Sequence, residues 1–361
     1  MKIGILGGGQ LAQMIALAGI PFGYRFIVYD PSADVCSNTV ATHIQGAYDD
    51  LDKLTEFANS VDIITYEFEN VCVKAVEFLS KSKTVYPELA ALEYTQDRLN
   101  EKNMLQSIGI PTAGFLEVNT RADIDTAIET MGLPIVLKTR SGGYDGKGQV
   151  VIKTADTADQ AWSETGQKNL IAEAWVPFDR EISIIAARSE SGQTAFYELV
   201  ENTHKDGILE TSFNLVADSV QKQAESIIEK LLIKLDYKGV LALELFQVGE
   251  KLIANEYAPR VHNTGHWTIE GCKSSQFENH LRAILNLPLG STESLGHCAM
   301  VNLVGKLPTP TDFADQANSH YHNYGKEARP GRKGGHLTIR TQDQEETRQL
   351  VQKTLQFIES L

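Results

Sequence analysis

The chain has 361 residues, 47 of them acidic against 33 basic, for a formal net charge of -14. That balance argues against a protein that coats nucleic acid or an anionic membrane, while a local basic cluster can still hold a small anionic ligand. A 42% hydrophobic content and no apolar run near the roughly 18 residues of a bilayer span fit a globular enzyme of two or three domains, expected in the cytoplasm. Cys36, Cys72, Cys272 and Cys298 are too scattered for a zinc motif or a disulfide framework.

Residues 2–6 followed by Gly7-Gly8-Gly9-Gln10-Leu11-Ala12 predict a strand, a glycine turn and a helix start, in the pattern G-x-G-x-x-[GA]. A second strand over 24–29 ends at Asp30, where a nicotinamide-binding fold would hold a ribose hydroxyl. The same turn serves equally for a single phosphate of another ligand, or for close helix packing. A helix over 51–59 and a strand over 62–66 lead to Glu67 and Glu69, at the sheet edge where ligands bind in open parallel sheets. Their alternation predicts one acid in the crevice and one in solvent; two ordinary surface acids are the alternative. A strand over 84–87 completes this layer.

Helices follow over 95–108, with Arg98 on the polar face, and over 120–131. Two β-branched runs, 133–137 and 149–152, flank the loop from Lys138 to Gln149 and predict an antiparallel hairpin. Gly142, Gly143, Gly146 and Gly148 let backbone N–H groups close on an anion, and Lys138 and Lys147 supply charge, so the loop reads as a phosphate cradle; a surface hairpin is the bland alternative. It is not a Walker loop, because no helix-opening Ser or Thr follows Lys147. Strands over 170–176, carrying Glu173, and 181–186 suit an adenine pocket, with Glu173 on the amino group or a ribose hydroxyl. Residues 200–209 read as a polar turn in which His204 is a binding or surface residue.

After a helix over 219–235, strands over 239–248 and 251–257 form a hairpin that places Glu244 and Glu256 opposite one another. Two acids among apolar neighbours repel unless a cation lies between them, and Mg2+ suits them, with Asn255 offering a carbonyl oxygen. Half-exposed surface acids are the alternative. The stretch 257–268 looks too polar and turn-rich for core and brings Arg260, His262, Asn263 and His266 near the phosphate end. A structural helix over 275–285 and a strand over 299–305 precede a dense basic turn over 324–339, suited to a phosphorylated small substrate. A surface helix spans 344–361.

In this order the features resemble the ATP-grasp ligases, and within them the ribonucleotide-carboxylating synthases of purine biosynthesis. The likeness rests on residues 7–11, Arg98, Lys138, 141–149, 173–176 with Glu181, 204–207, 255–256, 258–267 and 329–336. The chain departs from the pattern at Ala12-Gln13, where Gly-Arg is usual, and at Gly334, where a bulkier residue is usual.

The resemblance implies an ATP-grasp fold, α/β and α+β, with an N-terminal Rossmann-like (pre-ATP-grasp) domain over 1–95, an ATP-grasp domain over 96–295 and a small β-rich C-terminal domain over 296–361. It implies ATP-dependent carboxylation of aminoimidazole ribonucleotide by bicarbonate through carboxyphosphate, with ATP and Mg2+, small-molecule partners only, and a homodimer. ATP would meet Arg98, Lys138, Gly143, Tyr144, Asp145, Gly146, Lys147, Gly148, Gln149, Glu173, Ala174, Trp175, Val176, Glu181, His204, Asn255 and Glu256. Glu244 and Glu256 would hold the metal. The ribonucleotide would meet Gln10, Leu11, Glu67, Tyr144, Asp145, Lys326, Arg329 and Arg332, while Arg260 and Asn263, with Lys138, would act on bicarbonate or the departing phosphoryl group. Two other readings stay open: a formate-using ribonucleotide transformylase of the same fold, and a nicotinamide-dependent oxidoreductase built on the N-terminal glycines.

Overall fold

The computed structural model describes residues 1–143, 146–314 and 316–361. At the N-terminus four short strands form a parallel sheet, in the spatial order Thr42–Gln45, Arg25–Asp30, Lys2–Leu6 and Ile63–Tyr66. The last three of these strands are nearly continuous apolar runs, as a sheet covered on both faces requires. The strand expected over 84–87 shrinks to one bridge between Ile64 and Val85, because Pro87 has no N–H with which to extend the ladder.

A second sheet is antiparallel, in the order Phe115–Val118, Leu170–Ala174, Ile135–Thr139 and Gln149–Ile152. The predicted glycine hairpin is its edge, with Lys138 paired to Gln149.

The third sheet has nine strands. Its main path runs from Lys251–Ala258 through Gly239–Val248, Arg180–Arg188, Val200–Lys205, Ile208–Asn214, His297–Val304 and Lys333–Thr341 to Ser319–Asn323. The C-terminal strands therefore continue the central sheet, through pairing of Ile208–Asn214 with His297–Val304. Residues 200–209, expected to be a polar turn, are two strands joined at Asp206 and Gly207. They lie mid-sheet, with Val200 and Asn202 buried, 203–205 exposed, and Ile208–Asn214 buried or half-buried throughout.

His280 pins the parallel sheet to the nine-stranded one. Fully buried, its Nδ1 accepts from Val240 N–H at 3.2 Å and its Nε2 lies 2.8 Å from Thr65 Oγ1. Burial lowers its pKa to about 4 from an ordinary 6.5. A depressed imidazole contributes stability above the unfolded pKa, and that contribution is lost as pH falls from about 6.5 towards 4. At pH 5 the loss is about 2 kcal/mol from this residue. Urea unfolding at pH 7 and pH 5 is expected to show a smaller difference in His280→Gln than in the wild type; an unchanged difference would refute the assignment.

Candidate active site

The hairpin Gly239–Val248/Lys251–Ala258 turns at Gly249 and Glu250, with Gly249 in the left-handed region at φ 57°. Pairing runs from Val248↔Lys251 to Leu245↔Ala254 and then jumps to Leu243↔Tyr257. Glu244 thus faces two residues, Asn255 and Glu256, across a β-bulge. The expected opposition of Glu244 and Glu256 is met, through the bulge and not through a regular ladder.

Both acids line a cavity of about 520 Å³ that also reaches Gln10, Leu11, Glu67, Arg98, Lys138, Gly143, Gly146, Lys147, Gln149, Glu181, His204, Asn255, Arg260 and Asn263. Burial, and then the charge of Glu256, pushes the Glu244 carboxyl up to about 7. Its neighbour His262, with Nε2 at 3.5 Å, is no counter-charge, since burial and Arg260 bring the imidazole down to about 3. Burial works to raise Glu256, but Arg98, with Nη1 2.5 Å from the carboxylate, outweighs it and holds the acid below its ordinary range. Two carboxylates converging on one cavity wall fit a hard divalent ion that takes its other ligands from phosphate and water.

On the lid side, Thr139 N–H donates to Gly148 O at 2.8 Å, and Gly142, Gly146 and Gly148 all adopt φ near +74°, where a side chain is strained. A Cβ on Gly146 would sit 3.1 Å from Gly207 Cα, so this loop rests against the turn at Asp206 and Gly207. Lys138 Nζ donates to Glu173 Oε2 at 3.0 Å. Burial lowers the lysine pKa, with Glu173 opposing. Glu181 Oε2 lies 2.6 Å from His204 Nδ1. Burial lowers the imidazole pKa, but the carboxylate more than offsets it and the net shift is upward.

At the other end, Gly9 N–H and Ala12 N–H (2.8 Å) both donate to the Glu67 carboxylate, which closes the N-terminus of the Gln10–Gly19 helix. Asp30 Oδ2 accepts from Gly8 N–H at 2.9 Å. The two groups that a dinucleotide would need, the helix terminus and the acid after the second strand, are therefore committed within the protein. Glu69 does not point to solvent as one of the two acids was expected to. It pairs with Arg260 and lines the same cavity, and although burial opposes ionisation, Arg260 holds it down to about 2.

The remaining expected residues are placed as follows. Glu173 is buried, with Oε2 shared between Lys138 and Lys102 (3.3 Å), so that oxygen is committed to lysines and not to an adenine or ribose group. Gly148, Ala174, Trp175 and Val176 do not line the cavity, and Trp175 is 46% exposed. Lys326 reaches the site through Gln10, donating to Oε1 at 2.6 Å. Arg332 is half-buried beside Lys326 without lining the cavity, and Arg329 is exposed and paired with Glu327 at 2.8 Å. Lys333, not singled out from sequence, lines the cavity as the first residue of its strand. Tyr144 and Asp145 lie outside the described residues. His266, Trp267 and Thr268, read as too polar for core, are buried, with the His266 ring against those of His336 and Phe277.

Sequence reasoning also missed Glu101 and Lys102, although Arg98, Glu101 and Lys102 share one helix face at i, i+3 and i+4. It missed Asn302 as well, which holds Asn263 in two reciprocal amide hydrogen bonds of 3.1 and 2.8 Å.

Comparison with known proteins agrees with this geometry. Residues 1–96 match the ribonucleotide synthetase preATP-grasp domain, 103–277 the ATP-grasp domain, and 298–350 the phosphoribosylaminoimidazole carboxylase C-terminal domain. The chain is 48% identical to the N5-carboxyaminoimidazole ribonucleotide synthase of Pseudomonas aeruginosa over 95% of both chains. The chain belongs to the N5-carboxyaminoimidazole ribonucleotide synthase family. The Brucella melitensis synthase is 47% identical over 93% of this chain and 95% of its own. The crystal structure of the Thermus thermophilus synthetase superposes with a TM-score of 0.92 at 47% identity over 96% of both chains. The Aspergillus clavatus synthase, solved with ADP and 5-aminoimidazole ribonucleotide, gives 0.92 at 28% identity over 100% and 99%. As a member of this synthase family the chain is an ATP-grasp ligase with an N-terminal pre-ATP-grasp domain and the family's C-terminal domain, as the sequence led us to expect. No helix among the described residues is long and apolar enough to cross a membrane.

Proposed function

We infer that the chain carboxylates 5-aminoimidazole ribonucleotide with bicarbonate at the expense of ATP, giving N5-carboxyaminoimidazole ribonucleotide, ADP and phosphate in purine biosynthesis. The observation that carries this reading is the single cavity joining Arg98, Lys138 and Glu256 at one end to Gln10, Leu11 and Glu67 at the other. A family member holds ADP and 5-aminoimidazole ribonucleotide together.

Bicarbonate is a poor electrophile. Its oxygen attacks the γ-phosphorus, ADP leaves, and the resulting carboxyphosphate carries phosphate as leaving group. The exocyclic amine then attacks the carboxyl carbon, loses a proton and expels phosphate. The mixed anhydride must be kept from water, which suits a glycine loop resting on the Asp206-Gly207 turn. Arg98 and Lys138 face the nucleotide phosphates, and Arg260 and Asn263 hold bicarbonate or the departing phosphoryl group. Glu244 and Glu256 would hold Mg2+, which when bound neutralises charge on the transferring phosphates. His204 and Glu181 sit on the nucleotide side; Lys326 and Arg332 serve the ribonucleotide. We place the domain limits at 95/96 and 295/296, and the location in the cytoplasm. A homodimer rests on the resemblance, and sedimentation equilibrium tests it.

The decisive assay is ADP release with ATP, bicarbonate and ribonucleotide omitted in turn. Release that required formate and ignored bicarbonate would overturn the reading. Arg332→Ala is expected to raise the ribonucleotide KM about tenfold with the ATP KM within about twofold; equal effects on both would contradict its placement.

A further inference from the structure

The bulge that sets Glu256 opposite Glu244 lies on an edge strand, where one isolated bridge, Thr112↔Ala254, holds the outer side just before it and no strand among the described residues continues past it. The Arg98–Ser107 helix holds that side at three successive residues. Lys102 Nζ donates to Asn255 O at 3.2 Å, Arg98 pairs with the Glu256 carboxylate, and Tyr257 N–H donates to Glu101 Oε1 at 2.8 Å. Lys102 makes a second contact, to Glu173 Oε2, the same oxygen that takes the Lys138 ammonium. Glu173 belongs to the four-stranded sheet that carries the glycine loop, and Asn255 to the nine-stranded sheet. One buried ammonium therefore ties the lysine of the lid side to the carboxylate of the metal side.

We propose that Lys102 is a positioning residue that sets Lys138, through Glu173, and Glu256, through the Asn255 bulge, in register for the nucleotide phosphates. At 1% exposure it touches no substrate itself. Stability does not explain it: two lysines share one buried carboxylate, and removing Lys102 leaves Glu173 still paired with Lys138. A buried ammonium is costly to fold around, whereas it favours the binding of an anion nearby.

The proposal rests on the assignment of Lys138 and Glu256 to the nucleotide. Its test is MgADP binding by calorimetry together with steady-state kinetics. Lys102→Met is expected to fold, to weaken MgADP about tenfold, to raise the ATP KM alike and to leave the ribonucleotide KM within about twofold. Combined with Lys138→Met it should cost less than the sum of the two single losses, because part of the Lys102 effect is exerted on Lys138 through Glu173. Lys102→Arg should restore MgADP affinity. Unchanged MgADP affinity in Lys102→Met, equal loss of both substrates, or full additivity with Lys138→Met overturns the proposal. Where the methionine variant does not fold, Lys102→Gln keeps a donor for Asn255 but no charge, and wild-type MgADP affinity there overturns it as well. Failure of the wild type itself to bind MgADP would refute the nucleotide assignment and this inference with it, whereas the variant outcomes above refute the inference alone.

Discussion

Glu256→Gln is expected to lower turnover by on the order of a hundred- to a thousandfold while the chain stays folded. The side chain is 40% exposed on the cavity wall, so it is not buried core, and glutamine keeps an oxygen for Arg98. What disappears is one of the two charges facing each other across the bulge. With Glu244 alone, a divalent ion loses half its protein anchor at the point where charge builds on the transferring phosphoryl group. Circular dichroism and ADP release measured on one preparation decide the matter. A variant that unfolds would show that the acid supports structure, and one with undiminished turnover that it takes no part in phosphoryl transfer.

The parts of this site that were legible in the sequence are those set by local chemistry. The glycine hairpin could be read because two β-branched runs flank glycines that only a positive φ explains, and the acid pair because charge is rare in an apolar strand. The bulge was not legible: it depends on grips from a helix about 150 residues away in sequence, on Asn255 O and Tyr257 N–H. The stretch after Tyr257 misled because polar residues were taken as exposed ones. Gln276 satisfies both backbone groups of His262, accepting from its N–H at 2.9 Å and donating to its C=O at 2.6 Å, while Thr268 Oγ1 donates to Gly265 O. Polar groups paired in this way can enter a core without leaving unmet hydrogen bonds. The Gln276–His262 pairing joins two segments, so no short window of sequence displays it. The basic turn is the converse case. Composition marked it as a charged patch, but the orientation of Arg329 and Lys333 depends on where the Lys333–Thr341 strand begins.

The N-terminal glycines carry the other large expected effect. Gly9 has φ -77°, open to any residue, so its need for glycine is one of space: a Cβ there would lie 2.5 Å from Glu67 Oε1 and 2.9 Å from Oε2. That carboxylate is 7% exposed and is held by the Gly9 and Ala12 N–H groups, so it cannot swing aside without losing two charge-assisted hydrogen bonds. Gly9→Ala is expected to cost roughly 2 to 4 kcal/mol of stability. It should also raise the ribonucleotide KM more than about tenfold while the MgATP KM stays within about twofold. In a dinucleotide-binding turn the same substitution would strike the pyrophosphate site instead, and the loss would appear in cofactor binding. If displacement of Glu67 is the cause, Gly9→Ala in a Glu67→Ala background should cost almost nothing further, since the clash has gone with the carboxylate. Additive losses in urea unfolding would mean that the glycine serves something other than that acid.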